Sequence, residues 1–234
     1  MRRTLVISTI GIGLLIAPAC QAWAATTIGE TFDPTDGGVC SPAPRTFLQT
    51  APDQYVVPSA GVITSWSYQA AASPPQLRLK VARPQGGDMF LIVGESSPQA
   101  PGPNALATYP TRISVEAGDA LALTITADGE CYRNVAPSYH WRNLFADPAV
   151  GTSPTFDADN TGLQFDIAAS LEPDADHDGF GDETQDQCPT NASTQGPCPP
   201  GSTGQRGAEL KRCKKKHSKL ARRKCRKKAT LLPV

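Results

Sequence analysis

Short runs of alternating apolar residues, separated by turn sequences, dominate the middle of this chain. Leu77, Leu79 and Val81 alternate with Arg78 and Lys80, the pattern of a strand with one buried face. Comparable apolar runs occur at 62–68, 89–93, 113–115, 121–125 and 163–167. No helix of ordinary length is evident between them. The pattern predicts an antiparallel, jelly-roll-like β-sandwich of roughly seven or eight strands.

Turn sequences separate these runs and help to place the core. Ser-Pro-Pro at 73–75 and Pro-Gln-Gly-Gly-Asp at 84–88 are typical of chain reversals. Trp66 and Tyr68 lie on one face of a central run, so we expect both to be core residues.

The predicted sandwich carries none of the motifs that usually mark an enzyme. It lacks a P-loop, a GxSxG elbow, an HExxH helix and a dinucleotide-binding glycine pattern. His140 lies among aromatic residues at 138–141, and a loop that closes one end of the sandwich is favoured over a sugar-stacking site. We therefore predict no catalytic residues. The alternative is an exported, polysaccharide-active enzyme with paired carboxylates in the sandwich.

The N-terminal segment has the features of an export signal. Two arginines precede an apolar run at 5–17, and Ala-Trp-Ala at 22–24 resembles a cleavage site. Attachment of a lipid at Cys20 is disfavoured because a proline lies where a small residue is expected. Residues 1–24 are predicted to be a signal peptide with no transmembrane segment after it. We expect the protein to be secreted, extracellular or associated with the cell envelope.

Six cysteines remain when the signal peptide is removed, and they fall into three neighbourhoods. An even number in an exported chain favours disulfides over free thiols. A zinc site is less favoured, because no CxxC pair occurs and the three histidines are scattered. The economical pairing joins Cys40 with Cys131, Cys188 with Cys198, and Cys213 with Cys225.

The stretch DADHDGFGDETQDQCP (174–189) gathers five aspartates and one glutamate within thirteen residues. Calcium requires six to eight oxygen ligands, so a short loop must aim alternate side chains inward and turn sharply. Asp174, Asp176 and Asp178 occupy positions one, three and five of such a loop. Gly179 follows at position six, where the backbone needs a φ that glycine adopts without strain. This alternation predicts a calcium site rather than a solvated acidic linker.

The second half of the loop is less regular. Phe180, at position seven, would offer its carbonyl oxygen, and Asp182, at position nine, would bind directly or through water. Position twelve should be a bidentate acid but is Gln185. The last ligand is therefore Asp186 from a slightly longer loop, Glu183, or the Gln185 amide oxygen.

The same stretch resembles the thrombospondin type 3 repeat, in which DxDxDG loops bind calcium and a Cys-Pro closes each unit. The resemblance covers residues 174 to about 199, with one loop here instead of a tandem array. It implies a calcium-stiffened, disulfide-pinned extracellular module. The implied ligands are Asp174, Asp176, Asp178, Phe180, Asp182 and Asp186. The whole chain is also similar to secreted actinobacterial proteins of unknown function, which implies an arrangement and no activity.

The formal net charge of zero hides a strong division of charge along the chain. Residues 25–208 carry a net charge of −13, and residues 209–234 carry +11. No aromatic residues interrupt the basic run, so a base-stacking surface is not indicated. Such asymmetry points to an anionic partner, an envelope polymer first and less specifically any polyanion, including nucleic acid, or to self-association. The predicted anion-binding residues are Lys211, Arg212, Lys214, Lys215, Lys216, Lys219, Arg222, Arg223, Lys224, Arg226, Lys227 and Lys228.

These features divide the chain into five parts: a signal peptide (1–24), a β-sandwich (25–171), a calcium loop (172–199), a flexible linker (200–208) and a basic tail (209–234). The tail is expected to be irregular or short-helical. One straight helix would hold Cys213 and Cys225 about 18 Å apart, too far for a disulfide. The predicted function is a secreted, non-catalytic calcium-binding protein with a binding, adhesion or structural role. The β-sandwich would offer a site for a glycan or protein ligand.

Overall fold

The computed structural model describes residues 24–34, 37–199, 210, 212–215 and 218–229. The predicted signal peptide, apart from Ala24, and the predicted linker lie outside these residues. The described chain is mainly β, as the sequence predicts. Its elements, in chain order, are β1 (Thr26–Glu30), β2 (Gly38–Cys40), β3 (Arg45–Gln49), a 3-10 turn (Asp53–Tyr55), β4 (Gly61–Gln69), β5 (Leu77–Gly86), β6 (Met89–Glu95), β7 (Leu106–Val115), β8 (Ala120–Ile125), β9 (Gly129–Asn134), β10 (His140–Leu144), β11 (Asn160–Thr161), β12 (Leu163–Phe165), β13 (Ile167–Glu172) and α1 (Lys219–Ala229).

Two antiparallel sheets form the sandwich. One has four strands in the order β1-β13-β4-β7, and the other has six in the order β11-β10-β3-β8-β5-β6. The chain crosses between them after β3, β4, β6 and β7, which is a jelly-roll-like winding. The described strands outnumber the seven or eight expected from the sequence, because several are only two to five residues long. His140 begins one of these, β10, where a loop was expected.

The main core lies between the two sheets. Trp66 and Tyr68 on β4 are fully buried, as predicted. They share one apolar cluster with Leu79 on β5, Leu123 on β8 and Ile167 on β13, so residues of both sheets meet there. Burial of such side chains is the main favourable contribution to folding, at about 25 cal/mol per Å² of apolar surface.

The six-stranded sheet is also covered on its outer face, which the sequence did not predict. Phe90 and Phe156 pack edge to face at 5.5 Å in a second apolar cluster. Phe156 belongs to residues 145–158, here called the covering segment. Backbone hydrogen bonds join this segment to β6, including one from Ile92 N to Thr152 O at 2.9 Å. The expectation that β5 buries only one face is therefore wrong.

Lys80 shows the consequence most clearly, because its side chain is 0 % exposed on the face expected to meet solvent. Its Nζ pairs with Glu95 and with Asp147 of the covering segment. Arg78 contacts the same two carboxylates, at 3.3 Å each. We call these four residues the ion cluster. A buried ammonium requires such partners.

The run at 163–167 forms two strands where one continuous strand was expected. β12 pairs with β9 in a third, three-stranded sheet (β12-β9-β2), whereas β13 belongs to the four-stranded sheet. The change of sheet occurs at Asp166, which is fully buried. Its carboxylate accepts hydrogen bonds from the backbone N–H groups of Phe32 and Gln69, at 3.2 and 3.1 Å. Asp166 thus joins the end of β4 to the segment that follows β1.

The three predicted disulfides are present. Cys40–Cys131 joins β2 to β9, with a Cα–Cα distance of 5.7 Å. Cys188–Cys198 closes a short loop after the acidic motif, and Cys213–Cys225 lies in the basic tail. The last pair has Cα atoms 5.5 Å apart, so the tail reverses direction before α1 instead of forming one straight helix.

Candidate metal centre

The first three aspartates of the acidic motif converge in space. Asp174, Asp176 and Asp178 each offer a carboxylate oxygen, and these oxygens lie within 4.8 Å of one another. Alternate positions of a tight turn point to the same side, which is why the DxDxD spacing brings them together. The three side chains could hold a metal ion.

Backbone geometry explains how the chain curls around these acids. His177 and Gly179 both have positive φ, at 61° and 83°. The carboxylate of Asp174 accepts hydrogen bonds from the N–H groups of Asp178 and Gly179, at 3.1 and 3.0 Å. Gly179 adopts this conformation without the steric cost of a Cβ. The glycine predicted at the sharp turn is therefore at the position where the turn occurs.

Two of the acids have buried oxygens without a protein partner. Both carboxylate oxygens of Asp176 and Oδ2 of Asp186 are buried and make no hydrogen bond. Asp186 is only 3 % exposed, and its other oxygen accepts a hydrogen bond from the Cys188 N–H at 2.7 Å. Buried carboxylate oxygens are normally hydrogen-bonded or bound to a cation. Within the described residues, these orphaned oxygens are the feature that most favours a bound cation.

Five acids of the loop lie close enough together to repel one another. Burial, followed by the charges of Asp178 and Asp186, raises the pKa of Asp176. Backbone N–H groups near Asp176 oppose this rise, although none makes a well-formed hydrogen bond to it. Burial also raises the pKa of Asp182, and the charges of Asp174, Asp176 and Asp186 add to the rise. A cation among these carboxylates would remove the repulsion.

Two of the three residues considered for the last ligand, Gln185 and Glu183, contact other groups instead. The Gln185 amide donates to the carbonyl oxygen of Thr111 at 2.8 Å, and its oxygen faces the Gly181 N–H at 3.4 Å. The exposed Glu183 accepts a hydrogen bond from the Ala25 N–H at 2.7 Å. Asp186 keeps a free buried oxygen and its charge acts on Asp176, although it is not among the three acids whose oxygens lie within 4.8 Å of one another.

The acidic loop is docked on the sandwich. Glu172, at the end of β13, accepts hydrogen bonds from the Thr64 and Thr184 hydroxyls and from the N–H groups of Glu183 and Thr184. A Cβ on Gly181 would lie only 2.5 Å from Glu172 Oε2, so the loop approaches too closely for a larger residue. The Glu172 side chain therefore fixes the second half of the loop to β4.

Two further contacts hold the loop from either side. The Arg112 guanidinium lies over the Phe180 ring, 4.0 Å from its centroid. The Gln195 amide, from the loop closed by Cys188–Cys198, donates to Asp178 Oδ2 at 2.8 Å. That disulfide-closed loop thus folds back onto a predicted ligand. The sequence analysis missed Glu172 and Gln195: the first looks like one more acid of the motif, and the second is an ordinary polar residue in a turn.

A cleft of about 460 Å³ gives access to the acids. Asp174, His177 and Asp178 line one side of it, and Arg83 and Glu116 of the sandwich line the other. A hydrated ion could therefore reach the loop from solvent, which a usable metal site requires.

In the described part of the basic tail, Cys213–Cys225 links the segment before α1 to α1, and most of the cations lie on α1. One side of α1 carries Lys219, Arg222, Arg223, Arg226 and Lys227, together with the exposed Leu220. Ala229 is buried on another side. Of the twelve predicted anion-binding residues, Lys211 and Lys216 lie outside the described residues. Seven of the other ten lie on α1, and the remaining three precede it: Lys219, Arg222, Arg223, Lys224, Arg226, Lys227 and Lys228 on the helix, and Arg212, Lys214 and Lys215 before it.

Comparison of the chain with protein-family models, with curated proteins and with solved structures found no match. The resemblance of the acidic motif to the thrombospondin type 3 repeat therefore stays a prediction. Among the described residues, no helix is both long enough and apolar enough to cross a membrane. Three disulfides are compatible with an oxidising, extracytoplasmic location.

Proposed function

We propose that this protein is an exported, non-catalytic calcium-binding protein whose acidic loop holds one Ca²⁺ against the β-sandwich. The observation that carries the proposal is the set of buried, unpartnered oxygens on Asp176 and Asp186 beside the converging Asp174 and Asp178. Oxygen donors with a high negative charge suit a hard cation.

Calcium fits this ligand set better than magnesium does. The acids come from an irregular loop that offers at least five carboxylates, whereas magnesium demands a tight octahedron and releases its water reluctantly. The resemblance of the DxDxDG motif to the thrombospondin type 3 repeat points the same way. An affinity of about 10⁻⁴ to 10⁻³ M, or somewhat tighter, would suit extracellular calcium levels.

The loop's attachment to the sandwich suggests what calcium does for the molecule. Glu172 and Gln185 hydrogen-bond across the boundary between loop and sheet. Calcium would then stabilise the surface where loop and sandwich meet as well as the loop itself. A protein of this kind acts by presenting a stable surface, which fits a binding, adhesion or structural role outside the cell.

Titration calorimetry on the full chain tests the metal site. Asp176→Asn should abolish calcium-dependent heat, because this side chain has no other partner in the protein. Asp53→Asn, a change at an exposed acid on the sandwich, is the matched control and should bind as the unaltered chain does. Absence of calcium-dependent heat from the unaltered chain at millimolar calcium would refute the proposal. Binding that tolerates Asp176→Asn would place the ion elsewhere.

The basic tail supplies the attachment in this proposal. Its cations, ordered on α1 and closed by Cys213–Cys225, would hold an anionic polymer of the cell envelope. Counterion release makes such binding weaken steeply with salt. A chain truncated after Gly207 should leave the envelope fraction at low salt yet still bind calcium. Unchanged retention would mean that the sandwich is the anchor.

A further inference from the structure

Lys80 is a buried amine with an unusual set of neighbours. Its side chain is 0 % exposed, and Nζ donates a hydrogen bond to the carbonyl oxygen of Pro148 at 2.8 Å. The same nitrogen contacts a carboxylate oxygen of Glu95 and lies 2.9 Å from Oδ1 of Asp147. A buried amine therefore meets two carboxyl groups whose side chains are 31 % (Glu95) and 26 % (Asp147) exposed.

The contact between Lys80 and Asp147 is not an ordinary hydrogen bond. Asp147 Oδ1 is buried and has no hydrogen-bond partner, although Nζ lies only 2.9 Å away. The approach angle therefore falls outside the hydrogen-bonding range. Because Oδ1 is bonded to Cγ, the nitrogen is also close to the carboxyl carbon, and attack on that carbon requires the two atoms to approach to about 3 to 3.5 Å.

We propose that Lys80 and Asp147 become joined by an intramolecular amide bond, an isopeptide bond, and that Glu95 transfers the protons. The bond would connect β5 to the covering segment. This modification is independent of the calcium site and of the tail.

The reaction balances without any co-reactant. The Lys80 ammonium first gives one proton to Asp147 through Glu95, which leaves a neutral amine and a carboxylic acid. The Nζ lone pair then attacks Cγ of Asp147, and the N–Cγ bond forms. The Cγ–Oδ1 bond breaks as a second amine proton passes through Glu95 to the departing oxygen, which leaves as water. The third proton remains on the amide nitrogen.

The surroundings favour each step. Burial of the Lys80 side chain disfavours the ammonium ion relative to a neutral amide. Holding the two groups in contact corresponds to an effective concentration of about 10⁵ to 10⁸ M. Arg78 lies 3.3 Å from Asp147 Oδ2, the oxygen that carries the negative charge when nitrogen adds to the carbon. The Pro148 carbonyl oxygen fixes the direction of the amine.

Mass spectrometry of the exported, full-length chain under denaturing and reducing conditions tests the proposal. The expected mass is lower than the sequence mass by one water, about 18 Da. Trypsin should fail to cleave after Lys80, and one branched peptide should contain both Lys80 and Asp147. Separate peptides, cleavage at Lys80 and no loss of water would overturn the proposal and leave the ion cluster as a set of ion pairs.

Three variants distinguish loss of the amide bond from loss of the fold. Asp147→Ala removes the acceptor and should restore the full mass and cleavage after Lys80. Glu95→Gln keeps the shape of the side chain but removes its proton transfer, so the bond should be absent or form much more slowly. Asp157→Ala changes an exposed acid of the same covering segment and should leave the bond intact. A folded Glu95→Gln protein that is bonded as fast as the unaltered chain would overturn the role of Glu95.

Discussion

Two groups of acids in this protein have opposite electrostatic surroundings. In the ion cluster, Glu95 and Asp147 meet the cations of Lys80 and Arg78, which come from the same sheet. In the acidic loop, Asp176 and Asp186 have buried oxygens and no cation of the protein beside them among the described residues. Burial of a carboxylate is stable only when something offsets its charge. Before any amide bond forms, cations of the chain balance the first group, whereas a cation from solution would balance the second.

Asp166 is a third case that lies between these two. It is fully buried, and its oxygens meet two backbone N–H groups in place of a strong cation. Burial raises the pKa of Asp166 to about 8, although the hydrogen bonds from Phe32 and Gln69 oppose the rise. A bound proton can therefore neutralise Asp166, as the Lys80 ammonium offsets the charge of Asp147. The three cases lead to different responses to mutation, calcium and pH.

The largest expected effect on stability comes from replacing Lys80, which supplies the buried cation of the ion cluster. Lys80→Met should lower the free energy of unfolding by about 3 kcal/mol, because it removes the cation that meets Glu95 and Asp147 and, with it, the amide bond proposed to join Lys80 to Asp147. Urea denaturation measures this change, and Lys214→Met, at an exposed cation of the tail, is the control. A loss no greater than that of the control would show that the ion cluster contributes no net stability.

The next effect is the response of the acidic loop to calcium. Calcium at a hundredfold excess over its dissociation constant should raise the free energy of unfolding by about 2.7 kcal/mol, because the ion binds only the folded loop. Chelator should reverse the gain, and magnesium should reproduce little of it. Thermal unfolding with and without calcium checks the prediction, and an unchanged midpoint would contradict it.

The response of stability to pH distinguishes Asp166 from the other acids. Because the pKa of Asp166 rises from 3.8 to about 8 on folding, the folded protein keeps a proton that the unfolded chain releases between those values. Stability should therefore fall as pH increases from about 4 to about 8. Asp166→Asn should remove this part of the slope. Parallel curves for the two proteins would show that Asp166 is ionised in the fold.

The sequence was informative where a pattern depends on neighbouring residues. Alternation revealed the main strands and the buried Trp66, and the DxDxDG spacing indicated which acids converge. Short separations of 10 and 12 residues paired Cys188 with Cys198 and Cys213 with Cys225, and elimination left Cys40 with Cys131, 91 residues away.

Burial that depends on distant segments could not be predicted. Lys80 occupies a polar position of an alternating run, and only the covering segment, which has no alternation of its own, makes that position internal. Gln164 and Asp166 look like the solvent face of one strand, yet both are fully buried where the chain changes sheets. A polar residue has the same appearance in a sequence whether it meets water or a buried partner.

The smallest expected effect is also the one that separates the two groups of acids most directly. In the presence of chelator, Asp176→Asn should leave stability unchanged or raise it by about 0.5 kcal/mol, because it removes repulsion with Asp178 and Asp186 and breaks no hydrogen bond. In calcium the same variant should be less stable than the unaltered chain, since it lacks a ligand. Chemical denaturation under both conditions measures this reversal of sign. Destabilisation of equal size with and without calcium would mean that Asp176 has a structural partner in the protein, and the distinction between the two groups would then fail.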